Sequence, residues 1–411
     1  MSGQILAAQE FLRSNGVDCW LLRDYFDANP VLWSVLGGHA RNVTRPCWLF
    51  VPKEGRPVVL AHSVDAGRFA ELFDSLREKR PDGLSEQGPR LDPDIRVWAS
   101  RVQLVDHLST LVRPGSTVAM EYSPQSQLPR VGRADAGSVE LIRSLGGKVV
   151  SSGDVLQYAT ERWTPRQLES HRYAATSLVR IVHEAFRFVQ ENVNWKLTEH
   201  DVAQFIRGRY DRLELEASDG PIASVGPHSS DPHYEPAPGN SAVVRKGSWL
   251  LLDIWARKKG QPDAIYADIT WTGVVGPAPT EIQTRVFEAV REARDAAVRL
   301  IEDSWHDGTR LEGWQVDRAA RGVINERGFG PYFVHRLGHS LGTTVHSNAV
   351  NLDDWETHDD RQLIPGIGVT VEPGVYLPEF GVRSEIDIYL GADGPEVTTE
   401  RQTQIVTLEL P

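Results

Sequence analysis

Two aspartates of this chain stand inside apolar, strand-like runs, Asp253 in WLLLDIWA and Asp268 in AIYADITWTG. An ionised carboxylate buried without a partner costs several kcal/mol, so each needs a cation or a set of hydrogen-bond donors. One such aspartate alone reads most simply as a turn or cap residue. Two on neighbouring strand runs restrict the fold to one that gathers β-strands around a compensated polar centre.

The same demand recurs downstream. The stretch HRLGHSLGTTVH supplies His335, His339 and His346, flanked by Gly338 and Gly342. Any one of them alone reads as a hydrogen-bonded core histidine. The spacing 339 − 335 = 4 is that of the zincin HExxH, but position 336 is arginine, which removes that motif's general base, and the glycines oppose a regular helix. In VTVEPGVY, Glu372 interrupts a strand run before Pro373-Gly374. In GVRSEIDIYL, period-two alternation puts Arg383, Glu385 and Asp387 on one sheet face. For Asp387 an exposed polar face of a half-buried strand is a sufficient account; Glu385 reads as part of the compensated set. Two aspartates, two glutamates and one imidazole suit hard or borderline divalent ions. Their four negative charges match two such ions, with open positions for a water shared between them.

With 411 residues the chain is long enough for two domains. Its first third alternates helix and strand patterns: an amphipathic stretch closed by Asn15-Gly16, strand runs at 19–23, 47–51, 57–61, 116–121 and 148–152, and helices around 63–78, 101–112 and 135–145. Segment 79–94, rich in proline, glycine and charge, reads as a solvated loop. Thr164, Pro165 and Gln167 form a capping box that opens a long helix, and similar starts recur at Thr198 with Asp201 and at Thr280 with Gln283. Strand-rich stretches at 241–276 and 367–409 make the C-terminal part α+β with a mostly antiparallel sheet, and the domain boundary falls near 153–164. No repeat of 20–50 residues is visible.

Forty-four basic against 56 acidic residues leave a formal charge of −12, which argues against nonspecific binding to nucleic acid or an anionic membrane. Two cysteines, Cys19 and Cys47, are too few for a disulfide scaffold and fit a reducing cytoplasm. Gln4, Glu10 and Arg13 interrupt the N-terminal apolar stretch, so no signal-peptide core is expected, and no run approaches the ~20 apolar residues of a membrane span.

On these residues the chain from about 160 to 411 resembles the pita-bread metallopeptidases of the methionine aminopeptidase, aminopeptidase P and prolidase superfamily, peptidase family M24. The N-terminal part, ending in MEYSP and SSGDVLQ, is similar to the extra domain of the aminopeptidase P, prolidase and creatinase branch. The resemblance implies an α/β N-terminal domain over 1–158 and an α+β pita-bread catalytic domain over 159–411. It implies that Asp253 binds one metal, that Asp268 and Glu385 bridge both, and that His339 and Glu372 complete the other shell. His233 in SSDPHYEP and His346 would line the substrate pocket, with His335 a further pocket histidine and Arg383 beside substrate and bridging glutamate. Glu372 would accept a proton. Two divalent ions per chain are expected, manganese by resemblance with cobalt, zinc and iron as alternatives, in a homodimer.

Three departures bear on this reading. The two aspartates lie eleven residues apart in the resembling enzymes and 268 − 253 = 15 apart here, so the turn holding RKKGQPDA is longer and is expected to reach over the site or toward a partner subunit. Asp263 sits near the usual register, but Asp268 has the strand context, and Asp268 is the expected ligand. Ser347 and Ser384 replace an acid and a bulky aliphatic residue next to His346 and Arg383. The expected activity is hydrolysis of the bond before proline in short peptides, as an Xaa-Pro aminopeptidase or dipeptidase. The alternative is a pita-bread enzyme repurposed for a small molecule, of amidinohydrolase or lyase type. A non-catalytic binding protein is a third reading, against which the full ligand set argues.

Overall fold

The computed structural model describes residues 2–78 and 93–409, so most of the expected loop at 79–94 lies outside the described residues. The chain divides into two compact units, Met1–Arg162 and Trp163–Pro411. In the first, helices α1 (Ser2–Ser14), α2 (Pro30–Leu36), α3 (Ala66–Glu78), α4 (Arg101–Leu111), α5 (Ala136–Ser144) and the single turn α6 (Gly153–Leu156) accompany a six-stranded mixed sheet. Its strands are β1 (Cys19–Asp24), β2 (Cys47–Pro52), β3 (Val58–His62), β4 (Asp94–Trp98), β5 (Thr117–Met120) and β6 (Lys148–Ser151), in the order β4-β3-β2-β1-β5-β6. Alternate β1 residues feed two cores, Trp20 and Leu22 one side, Cys19 and Leu21 the other, which is the layered α/β arrangement. The sequence reading lacked β4 and α2. The first is a short edge strand with little buried surface, and the second is announced by Asn29-Pro30, a pair that also opens turns.

The second unit is built from two halves of like construction, as the resemblance implies for a pita-bread domain. In the first, α7 (Pro165–Asn192) and α8 (Glu199–Arg212) cover a sheet of β7 (Leu215–Glu216), β8 (Ile222–Val225), β9 (Trp249–Lys258) and β10 (Ala267–Val274). In the second, α9 (Glu281–His306) and α10 (Gly313–Glu326) cover β11 (Ser340–Leu341), β12 (Gly368–Val371), β15 (Ile386–Gly391) and β16 (Gly394–Val397), with the hairpin β13 (Gly374–Leu377) and β14 (Phe380–Arg383) between. Strand β17 (Val406–Thr407) closes the edge of β10 in a parallel pairing. The long helices have 28 and 26 residues and the short ones 14 each. Each long helix starts with the expected Thr–Gln capping box. Among the described residues no helix is long and apolar enough to cross a membrane.

The halves meet where β10 approaches β14 and β15. There the Glu385 N–H donates to the Thr270 carbonyl at 3.2 Å and the Asp268 N–H to Asp387 Oδ2 at 3.0 Å. Polar side chains from both halves therefore converge on one seam.

Candidate metal centre

In the β9–β10 ladder Asp268 lies opposite Trp255 and Asp253 opposite Thr270. Directly paired residues and residues two apart point to the same face of a sheet. Asp253, Trp255, Asp268 and Thr270 therefore share one face, while Leu250, Leu252, Ile254 and Ala256 of β9 turn to the core beneath α7 and α8. The additional length between the aspartates lies wholly in the turn 259–266, outside the ladder. That turn packs against its own domain: Gln167 Nε2 donates to the Asp263 carbonyl, Ile265 N to Ser170 Oγ, and Tyr266 N to the Gly342 carbonyl. Asp263 is exposed in it, whereas Asp268 is 4 % exposed.

The other half brings the remaining ligand-type residues. His339 precedes β11, Glu372 follows β12, and Glu385 lies between β14 and β15. One ligand atom each from Asp268, His339 and Glu385 falls within 4.8 Å of the others. His339 Nε2 is 3.5 Å from Glu372 Oε1 and 3.8 Å from Asp268 Oδ2. Gly338 makes this approach feasible, since a Cβ there would stand 2.1 Å from the Thr370 carbonyl oxygen.

Burial, reinforced by the neighbouring carboxylates, pushes Asp268 and Glu385 well above the usual carboxylate range. Burial also raises Glu372 to about 7. Asp268 Oδ1 has no hydrogen-bond partner among the described residues. His339 Nδ1 lies 3.3 Å from the Ser340 carbonyl. Nε2 lies on the side of the Glu372 and Asp268 carboxylates. A divalent cation would compensate the clustered carboxylates and engage the Asp268 oxygen, because carboxylate oxygens with one imidazole nitrogen form an ordinary coordination set. The residues fit a metal.

Around this set lies a hydrogen-bonded frame that residue patterns did not reveal. Thr270 Oγ1 donates to Glu385 Oε2 at 2.7 Å and receives Arg383 Nε at 3.0 Å. Arg383 also donates to Asp253 and to Tyr376 Oη, the latter at 2.8 Å. His335 Nε2 is 2.8 Å from Tyr376 Oη and its Nδ1 is 2.7 Å from the Arg336 carbonyl. Burial first, then the nearby Arg383 charge, lowers His335 to about 3, so it is neutral. A consistent order of donors results: Arg383 to Tyr376, Tyr376 to His335, His335 to a carbonyl. Arg383 and His335, both expected to face substrate, thus have these inward contacts. His346 is exposed and stacks edge-on against His339 at 4.2 Å between ring centres. His233 is exposed on the loop that follows β8.

Two neighbours differ from expectation. Asp387, read as part of an exposed face, is completely buried, and it holds the amide of Asp268 because β15 is covered on both sides where the halves meet. Ser384 accepts a hydrogen bond from buried Arg294, which also donates to the Gln402 carbonyl. The small hydroxyl at 384 thus accompanies an arginine beneath the strand.

Residues 170–392 match the model of metallopeptidase family M24, more than half of the chain and every residue of this centre. The chain belongs to metallopeptidase family M24. Within the family it is 33% identical over 184 residues to the putative dipeptidase YkvY of Bacillus subtilis, covering 44% of this chain and 46% of that protein. It is 30% identical over 197 residues to an Xaa-Pro dipeptidase of Pyrococcus furiosus, covering 47% and 50%. This M24 chain thus spans about half the length of the curated relatives it matches. The crystal structure of dipeptidase PepE from Mycobacterium ulcerans aligns with a TM-score of 0.68 at 21% identity, over 100% of this chain and 98% of that one, which establishes the likeness of fold.

Proposed function

We propose that this M24 chain hydrolyses the bond before proline in short Xaa-Pro peptides, using two divalent ions, with manganese the ion by resemblance. The observation that carries the proposal is the gathering of ligand atoms from Asp268, His339 and Glu385 within 4.8 Å at the seam, with Glu372 3.5 Å from His339 and Asp253 on the same sheet face. The relatives named dipeptidase and Xaa-Pro dipeptidase support the substrate class.

In this reading Asp253, Asp268, His339, Glu372 and Glu385 would hold the two ions. When bound, the ions supply Lewis acidity toward the scissile carbonyl and make water a nucleophile near neutral pH. Glu372 takes the proton of the attacking water on a carboxylate oxygen. His346 and His233, both exposed, donate to the oxygen that develops negative charge. Arg383 and His335 act through Tyr376 and Asp253, keeping the ligand carboxylates aimed.

Proline after the scissile bond makes a tertiary amide with no N–H, so selectivity comes from shape and from groups that grip the peptide ends. The test is metal-loaded protein on a panel of Xaa-Pro dipeptides, Xaa-Pro-Yaa tripeptides and proline-free dipeptides. Release of Xaa from Xaa-Pro, lost on chelation and regained with manganese, is expected. Turnover of a non-peptide amide or organic acid with every Xaa-Pro peptide left uncut would replace this reading by the repurposed small-molecule enzyme.

A further inference from the structure

The β9–β10 ladder sets Trp249 and Trp255 on the same face as the two aspartates, and of these Trp249 is buried while Trp255 stands opposite Asp268 and two residues beyond Asp253. Directly opposed side chains in such a ladder have Cβ atoms about 4.5–5.5 Å apart, so the indole begins beside the metal-ligand carboxylates. Its strand neighbours Ile254 and Ala256 are fully buried, but Trp255 is only partly covered.

The ring is held in place. Its Nε1 donates to Asp219 Oδ1 at 3.0 Å, and its outer edge rests on Gly220, where a Cβ would stand 2.4 Å from the ring. It packs on the cluster of Trp163, Ile265, Tyr266 and Leu341. Beyond it Arg257 is neutralised by Glu216 at 2.9 Å and donates to the Thr343 carbonyl at 3.0 Å. With its N–H engaged and the nearest cation paired, the wall offers a rigid apolar surface. Asp253 and Asp268 share this face, so a peptide whose scissile bond meets the ions there lies beside the ring.

We propose that Trp255 is a specificity-determining residue whose indole walls the subsite for the side chain of the N-terminal substrate residue, selecting an apolar side chain over none. The inference rests on the peptidase reading. An aliphatic group gains by leaving water against the fixed ring.

The experiment compares wild type, Trp255→Ala and Trp255→Phe, each metal-loaded, on Leu-Pro and Gly-Pro. It reads both kcat/KM and equilibrium binding of the same peptides. Wild type should favour Leu-Pro over Gly-Pro by about tenfold or more, Trp255→Ala should bring the ratio near unity with metal content unchanged, and Trp255→Phe should retain most of it. A ratio that survives in Trp255→Ala, or a wild type that prefers Gly-Pro, overturns the proposal. Preferential binding without cleavage, erased in Trp255→Ala, keeps the subsite and sinks the peptidase reading. No binding of any peptide overturns both. If Trp255→Ala does not fold, Trp255→Gln decides: an unchanged ratio overturns the assignment, and a lowered one supports it.

Discussion

Replacing Arg383 by alanine separates charge balance from ligand geometry at the seam. The guanidinium is 4 % exposed and contacts Asp253, Thr270 and Tyr376, with Glu372 Oε2 3.9 Å from Nε. Without metal, removing it leaves Asp253 buried beside other carboxylates, and breaking a buried pair costs ~3–5 kcal/mol. With two divalent ions bound, the carboxylates stay compensated, and the loss reduces to the hydrogen bonds with Thr270 and Tyr376, about 1 kcal/mol each. The metal-loaded variant therefore loses roughly 2 kcal/mol. By the thermodynamic cycle, Arg383→Ala should bind the metal pair more tightly by the difference, ~1–3 kcal/mol, or about 5- to 150-fold. Titration calorimetry of apo wild type and variant reads this directly, and chemical denaturation with and without metal closes the cycle. Weaker metal binding in Arg383→Ala would refute the charge argument and show that the arginine chiefly orients Asp253 as a ligand.

His346→Ala and His233→Ala should each lower kcat by ~10²-fold with metal content unchanged, as for donors that act on the transition state; wild-type turnover in both would return them to ordinary surface histidines. Gly338→Ala should lower the melting temperature sharply, because its methyl group would meet the Thr370 carbonyl at 2.1 Å and part β11 from β12. A melt within a degree or so of wild type would show that this approach is not needed to bring His339 to Glu372.

The five ligand-type residues were legible because each is a charged or imidazole group interrupting an apolar run, a local conflict that only a partner can resolve. The long helices were legible from their capping boxes, as at Thr164 and Thr280. The frame was not. Thr270 meets Glu385 across 115 positions, Arg383 meets Asp253 across 130, and no local pattern encodes such pairs. Tyr376 reads as a strand aromatic until the fold places its hydroxyl between His335 and Arg383. Asp387 was misread because alternation identifies which residues share a face but not whether that face is later covered. The two like halves escaped notice because their kinship lies in helix lengths and strand pairing rather than in residues repeated at a fixed period.

The central claim is that the seam holds two divalent ions, with Asp268 shared between them. Metal stoichiometry by elemental analysis after saturation and desalting, run on wild type, Asp268→Ala and Asp263→Ala, tests it most directly. The account requires two ions per chain in wild type, two in Asp263→Ala, and at least one lost in Asp268→Ala. A saturated wild type with fewer than two ions, or an Asp268→Ala protein that keeps both, would contradict it.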